Sequence, residues 1–268
     1  MKFVALVIGL LICVSCGVHA PSYSKTEFPA RKVTVGSVEY GYRVYVPLDR
    51  KDSEKLPVML YLHGSNRRGN DNQSQLADLY ENIKGFPDNW KFIVVVPQCR
   101  EDTFWAGPMM EQAMAALDQT VKEFGGDENR LYLAGYSMGG FGAWQAAITY
   151  PNKFAAIIPV AGGVEPIGEP SERDKALLSK QVAAVTSAPD VYAAYADVLK
   201  DKAIWIVHGE KDESIPVDQA RKMFAALKTA GNTNVVYNEL PGVGHASVVP
   251  AFSNPKLFEW LAKQTLTH

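Results

Sequence analysis

An α/β fold is expected for this chain, with a mostly parallel central sheet, helices on both faces and an antiparallel N-terminal strand pair. Three observations predict it. Short apolar runs bounded by turn residues recur beyond Pro57, segments with helical spacing lie between those runs, and two β-rich stretches separated by Gly36-Ser37 precede them. Apolar runs of this length are strands buried on both faces, and strands alternating with helices give a parallel sheet covered on both sides.

In chain order, Arg31 to Val35 and Tyr40 to Val46 form the opening pair. The buried strands are Val58 to Leu62, Phe92 to Val96, Leu131 to Ala134, Ala155 to Val160, Ile204 to Val207 and Val235 to Tyr237. Helices are expected at Gln112 to Phe124, Phe141 to Tyr150, Val217 to Ala230 and Pro255 to Gln264. In such folds ligands bind at the carboxyl ends of the strands. The residues that directly follow each run are therefore the informative ones.

The length of 268 residues and a hydrophobic content of 47% suffice for one sizeable core, and residues 31–268 are expected to form one domain. Lys plus Arg number 27 against 29 for Asp plus Glu, a formal charge of -2 that offers no broad attraction to nucleic acid or anionic membrane.

Met1-Lys2, an apolar run from Phe3 to Val14 and small residues at Ser15, Gly17 and Ala20 have the form of a secretory signal over residues 1–20, so export is expected. The run is too short for a transmembrane span, which needs about 20 apolar residues. Residues 21–30 read as a linker. Val14-Ser15-Cys16 also resembles the end of a bacterial lipoprotein signal, with a lipid anchor at Cys16, although Cys13 stands where such signals usually carry Leu. Cleavage after Ala20, just before Pro21, is the competing outcome. Either way the body keeps Cys99 with no internal partner, which argues against a structural disulfide.

The chemistry begins after the strand ending at Ala134, where Gly135-Tyr136-Ser137-Met138-Gly139-Gly140 runs into an expected helix. A strand turning sharply into a helix with a serine at the apex needs small flanking residues, and such a turn lifts the Ser137 hydroxyl out of the sheet. The helix start directs free N–H groups toward that hydroxyl, making the Met138 N–H an oxyanion donor.

A serine hydroxyl needs a neighbouring base. His19 lies in the signal, His268 is terminal, and His63 and His208 each precede a glycine directly after a strand, where a histidine more often shapes a loop. His245, in Pro241-Gly242-Val243-Gly244-His245, follows the last strand and is the expected base. The group that fixes its tautomer should be a carboxylate between the two in sequence. Asp212, in His208-Gly209-Glu210-Lys211-Asp212, fills that role, with Glu210 and Glu213 as solvated neighbours. A second oxyanion donor is expected from the loop His63-Gly64-Ser65-Asn66-Arg67-Arg68, as the N–H of Ser65 or Gly64. Arg67 and Arg68 either contact an acidic substrate group or are solvated. Trp105 and Tyr136 are candidate substrate-binding residues; Trp90 and Phe104 line a ligand site or belong to the core.

With these residues in place, the chain resembles the esterase branch of the α/β-hydrolase superfamily, in particular phospholipase/carboxylesterase-like proteins often described as predicted peptidases. The resemblance runs from about Arg31 onward. It is carried by Tyr61-Leu62-His63-Gly64, Val96-Pro97-Gln98-Cys99, the Ser137 turn, the Asp212 loop and the His245 loop. Feruloyl and acetyl esterases and dienelactone hydrolases share the fold. Dienelactone hydrolases use a cysteine nucleophile, but here the turn carries serine, and Cys99 follows a different strand. Residues 164–200 form a longer segment than relatives usually show, with helical spacing at Ala176, Leu177, Val182, Val191, Tyr195 and Leu199. That segment is a candidate cap over Ser137, or a helix pair that only covers the sheet.

The resemblance and the triad together imply hydrolysis of a small-molecule or carbohydrate-linked ester through an acyl-enzyme, with neither metal nor organic cofactor required. Two rivals are a serine peptidase of the same fold and a non-catalytic exported binding protein.

Overall fold

A computed structural model describes residues 28–51 and 53–266 of the chain. The export signal, the Cys13 and Cys16 readings and residues 21–27 of the expected linker lie outside the described residues. Phe28, assigned to that linker, is instead core. It packs against the rings of Tyr45 and Tyr80, and its carbonyl accepts a hydrogen bond from Arg43 Nη1 at 2.8 Å. A large aromatic followed by Pro and a strand gains more from burial than from solvent.

The described residues form one eight-stranded sheet: β1 (Ala30–Val35), β2 (Val38–Tyr45), β3 (Val58–Leu62), β4 (Ile93–Pro97), β5 (Leu131–Tyr136), β6 (Ala156–Val160), β7 (Ile204–Gly209) and β8 (Val235–Leu240). Their spatial order is β1-β2-β4-β3-β5-β6-β7-β8. β2 pairs antiparallel with both β1 and β4, and every other pairing is parallel.

From β3 the chain moves outward to β4 and then returns to the other side of β3 as β5, with Leu62 opposite Gly135. A reversal of this kind opens a crevice at the carboxyl ends of the two strands. β3 shows why its residues are apolar throughout: Val58, Leu60 and Leu62 face one core while Met59 and Tyr61 face the other.

The helices are α1 (Tyr80–Gly85), α2 (Pro108–Phe124), α3 (Met138–Thr149), α4 (Glu172–Leu177), α5 (Lys180–Thr186), α6 (Val191–Leu199), α7 (Asp218–Thr229), α8 (Val248–Phe252) and α9 (Pro255–Leu261). α2 starts a full turn before the expected Gln112, because Pro108 at its first turn needs no intrahelical N–H bond. α1 and α8 went unforeseen, since elements of five or six residues carry too little periodicity to register.

Segment 164–200 contains α4, α5 and α6, each started by a side-chain cap from Ser171, Ser179 or Asp190. Val182, Tyr195 and Leu199 are buried in the core shared with α3 and α7.

Candidate active site

β5 runs on through Gly135 and Tyr136, and α3 begins at Met138, so Ser137 is the single residue between strand and helix. The turn is tighter than propensity implies, because close packing overrides the low strand and helix preference of glycine. Ser137 sits at φ 54° and ψ −117°, a strained combination for a residue with a side chain. Its N–H donates to Val160 O at 2.9 Å, and its carbonyl accepts from Gly140 and Phe141 N–H. A Cβ on Gly135 would lie 2.0 Å from Gly139 O, and one on Gly139 would lie 1.8 Å from Leu62 O. Only hydrogen fits at either position.

The loops after β7 and β8 bring Asp212 and His245 to this serine. His245 Nε2 lies 2.8 Å from Ser137 Oγ, and His245 Nδ1 lies 2.8 Å from Asp212 Oδ2. Asp212 is buried, and its Oδ1 accepts the N–H groups of Ser214 and Ile215, both at 2.9 Å. His208 Nε2 is 3.3 Å from Asp212 Oδ2 and donates to Ile215 O at 3.0 Å. The carboxylate is thus held on both oxygens. The two loops are tied together: Lys211 N–H donates to Val243 O, and Gly242 N–H donates to Glu210 Oε2. Glu210 therefore anchors the His245 loop rather than only meeting solvent.

The wall across from the helix is the loop after β3. His63 is fully buried; its Nδ1–H donates to Gly64 O at 2.7 Å, and its Nε2 accepts the Cys99 N–H at 3.0 Å. Accepting an N–H fixes the neutral tautomer, and burial pulls the imidazole down to about 4. The Trp105 indole N–H donates to His63 O at 2.9 Å. Arg67 Nε binds Asp78 at 2.9 Å, and burial raises the Asp78 carboxyl above its ordinary value despite that ion pair. Neither the Met138 N–H nor the Ser65 N–H donates to another described residue. Cys99 is buried with its thiol pushed up to about 12 by desolvation, so it carries essentially no thiolate at neutral pH.

A cavity of about 1300 Å³ opens over the serine. Ser137, Met138, Ser65, Phe104, Trp105 and Phe141 line it, as do residues 165–170, Leu178 and Tyr192. Trp105 forms part of the wall with its indole N–H already engaged. Tyr136, expected to bind substrate, does not line the cavity. Its hydroxyl donates to His245 O at 3.0 Å and its ring lies 5.3 Å from the imidazole, so it supports the histidine from behind. Trp90 lies in the core with Phe92, Phe252 and Phe258.

Sequence reasoning missed the contact of His208 with Asp212 and the tie from Arg67 to Asp78. The four-residue spacing of His208 and Asp212 across a strand end was the available signal for the first; the second joins residues with no mutual pattern.

The sheet order and the serine turn define the class, a serine hydrolase of the α/β-hydrolase fold. The chain belongs to the prolyl oligopeptidase family, whose model matches residues 102–265. It is 32% identical over 130 residues to a bifunctional acetylxylan esterase/xylanase of Neocallimastix patriciarum, covering 44% of this chain and 17% of that protein. A protein of Arthroderma benhamiae described as an uncharacterized secreted protein is 27% identical over 212 residues, covering 74% of this chain and 22% of that one. The chain thus spans about a fifth of the length of these two relatives. Among solved structures, a thermostable esterase superposes with a TM-score of 0.70 at 27% identity, over 90% of this chain and 64% of that one.

Proposed function

We propose that this protein is an exported serine carboxylic-ester hydrolase that works through Ser137, His245 and Asp212 by way of an acyl-enzyme. The observation that carries the reading is the unbroken relay of two 2.8 Å contacts from Ser137 Oγ through the His245 ring to Asp212.

With Nδ1–H donating to Asp212, Nε2 is free to accept the Ser137 proton as Oγ attacks the ester carbonyl. The carbonyl π electrons move to oxygen, and that oxyanion is met by the N–H groups of Met138 and Ser65. Ser65 is preferred over Gly64 because Ser65 lines the cavity with Ser137 and Met138, whereas Gly64 does not. Collapse breaks the bond to the alcohol, which leaves with the proton from Nε2. Water then attacks the acyl-enzyme, giving its proton to Nε2, and the acid departs as Oγ takes that proton back. Asp212 stays ionised and orients the ring through both halves. The cap segment 164–200 forms the wall of the acyl or alcohol pocket in this reading.

Export rests on the signal-like segment 1–20, with Cys16 as a site for a lipid anchor if processing falls there; the secreted relative accords with it. No helix among the described residues is long and apolar enough to cross a membrane. Peptide hydrolysis is the second reading, favoured by the family match. Purified wild type and Ser137→Ala, assayed on p-nitrophenyl esters from acetyl to octanoyl, on methyl ferulate and on peptide p-nitroanilides, distinguish the two. Ester turnover lost in the variant is the expected result; turnover of the amides alone would favour the peptidase, and inert folded wild type would refute both.

A further inference from the structure

The two adjacent arginines of the oxyanion loop have divided their tasks. Arg67 is fastened to buried Asp78. Arg68 lines the cavity that contains Ser137, yet its guanidinium makes no hydrogen bond or ion pair to a described residue, and its Nε–H is buried with no acceptor. A desolvated donor on a permanent cation is costly to leave unmade.

The backbone that presents this side chain is fixed on both flanks. Arg68 N–H donates to Ser65 O, Gln98 Nε2 donates to Arg67 O, and Gly69 N–H donates to Cys99 O at 3.0 Å. Arg68 is therefore a pre-set cation three residues beyond the proposed oxyanion donor Ser65, and it lines the same cavity as Ser65 and Ser137. Glu165, Glu169, Asp174 and Asp190 also line the cavity, together with two lysines: Lys175, held by Glu172, and Lys222, whose ammonium lies over the Tyr192 ring. Arg68 is the lining guanidinium on the serine's own loop side. A guanidinium with a free edge is matched by a planar carboxylate, which accepts two parallel N–H bonds.

From this we infer that Arg68 is a specificity-determining residue that binds a carboxylate on the substrate, so the preferred esters are monoesters carrying a free carboxylate on the acyl or alcohol part. The inference rests on the esterase reading given above.

The test compares matched pairs of esters in wild type, Arg68→Gln and Arg68→Lys. On the acyl side the pair is p-nitrophenyl hemiglutarate against p-nitrophenyl valerate. On the alcohol side it is 4-acetoxybenzoate against 4-methylphenyl acetate. Wild type should show a higher kcat/KM for the charged member of at least one pair. That charged-to-neutral ratio should fall about tenfold or more in Arg68→Gln, the effect of losing a charge-assisted hydrogen bond, with Arg68→Lys in between. Wild type that cleaves the neutral esters without favouring either charged one overturns this inference and leaves the triad standing. So does a ratio unchanged in Arg68→Gln. Wild type that cleaves no ester at all removes both readings.

Discussion

Acidification from pH 7 to pH 4 should destabilise this protein through His63, and the size of the effect follows from its surroundings. The ring is fully buried and its Nε2 accepts the Cys99 N–H, so a proton placed on Nε2 would both break that bond and put a charge where water cannot reach it. The folded imidazole titrates at about 4 against 6.5 for the exposed group. The unfolded chain therefore binds the proton first on acidification, and stability rises with pH between those two values and is lost as pH falls through them. The gap, at about 1.4 kcal/mol per pH unit, comes to about 3 kcal/mol once half-protonation near pH 4 is allowed for.

The assay is urea unfolding followed by tryptophan fluorescence at a series of pH values, for wild type and His63→Gln. The glutamine can keep an acceptor for Cys99 N–H but cannot titrate. His208, also lowered by burial, adds a slope of the same sign. Asp71 and Glu239, both lowered to about 2, lose their contributions chiefly toward still lower pH. All three are common to both proteins and cancel in the comparison. The two stability curves should converge by about 3 kcal/mol between pH 7 and pH 4. Parallel curves would mean that protonation of His63 is not coupled to folding in this range.

Three further outcomes follow from the same geometry. Cys99, with its thiol raised to about 12, should resist iodoacetamide at pH 8 in the folded protein and react only after denaturation; rapid native labelling would show a thiolate the structure does not permit. Gly139→Ala would drive a Cβ into the Leu62 carbonyl, 1.8 Å away and part of β3, so the melting temperature should drop with a loss of more than about 3 kcal/mol; a melt like that of wild type would mean the turn is looser than described. In Asp212→Asn the amide oxygen would keep the Ser214 and Ile215 N–H bonds and turn its NH₂ to His245 Nδ1, forcing the tautomer that cannot accept the serine proton. On the order of a 10⁴-fold loss in kcat/KM on a p-nitrophenyl ester is expected with the fold intact, and a loss under about tenfold would remove Asp212 from the relay.

The central sheet was legible because its strands are buried on both faces and so read as unbroken apolar runs, as β3 and β4 do at every position. The serine turn was legible because its glycines answer a steric demand that nothing else meets. Element ends were less so: β5 and α3 close to within one residue of each other only because Gly135 and Gly139 let backbones touch, a tertiary fact. For Tyr136, its place beside the serine invited a substrate role, while its hydroxyl is committed to a histidine loop more than a hundred residues away. The split between Arg67 and Arg68 is of the same kind. Adjacent identical residues acquire different surroundings only when Asp78 folds back against one of them.

Every step of the proposed mechanism requires Ser137 to be the nucleophile that His245 activates. The most direct measurement is covalent labelling with a fluorophosphonate, followed by peptide mass mapping, in wild type, Ser137→Ala and His245→Ala. A single adduct on the Ser137 peptide, absent from Ser137→Ala and formed far more slowly in His245→Ala, is the predicted result. An adduct on another residue, or labelling that survives in Ser137→Ala, would contradict it.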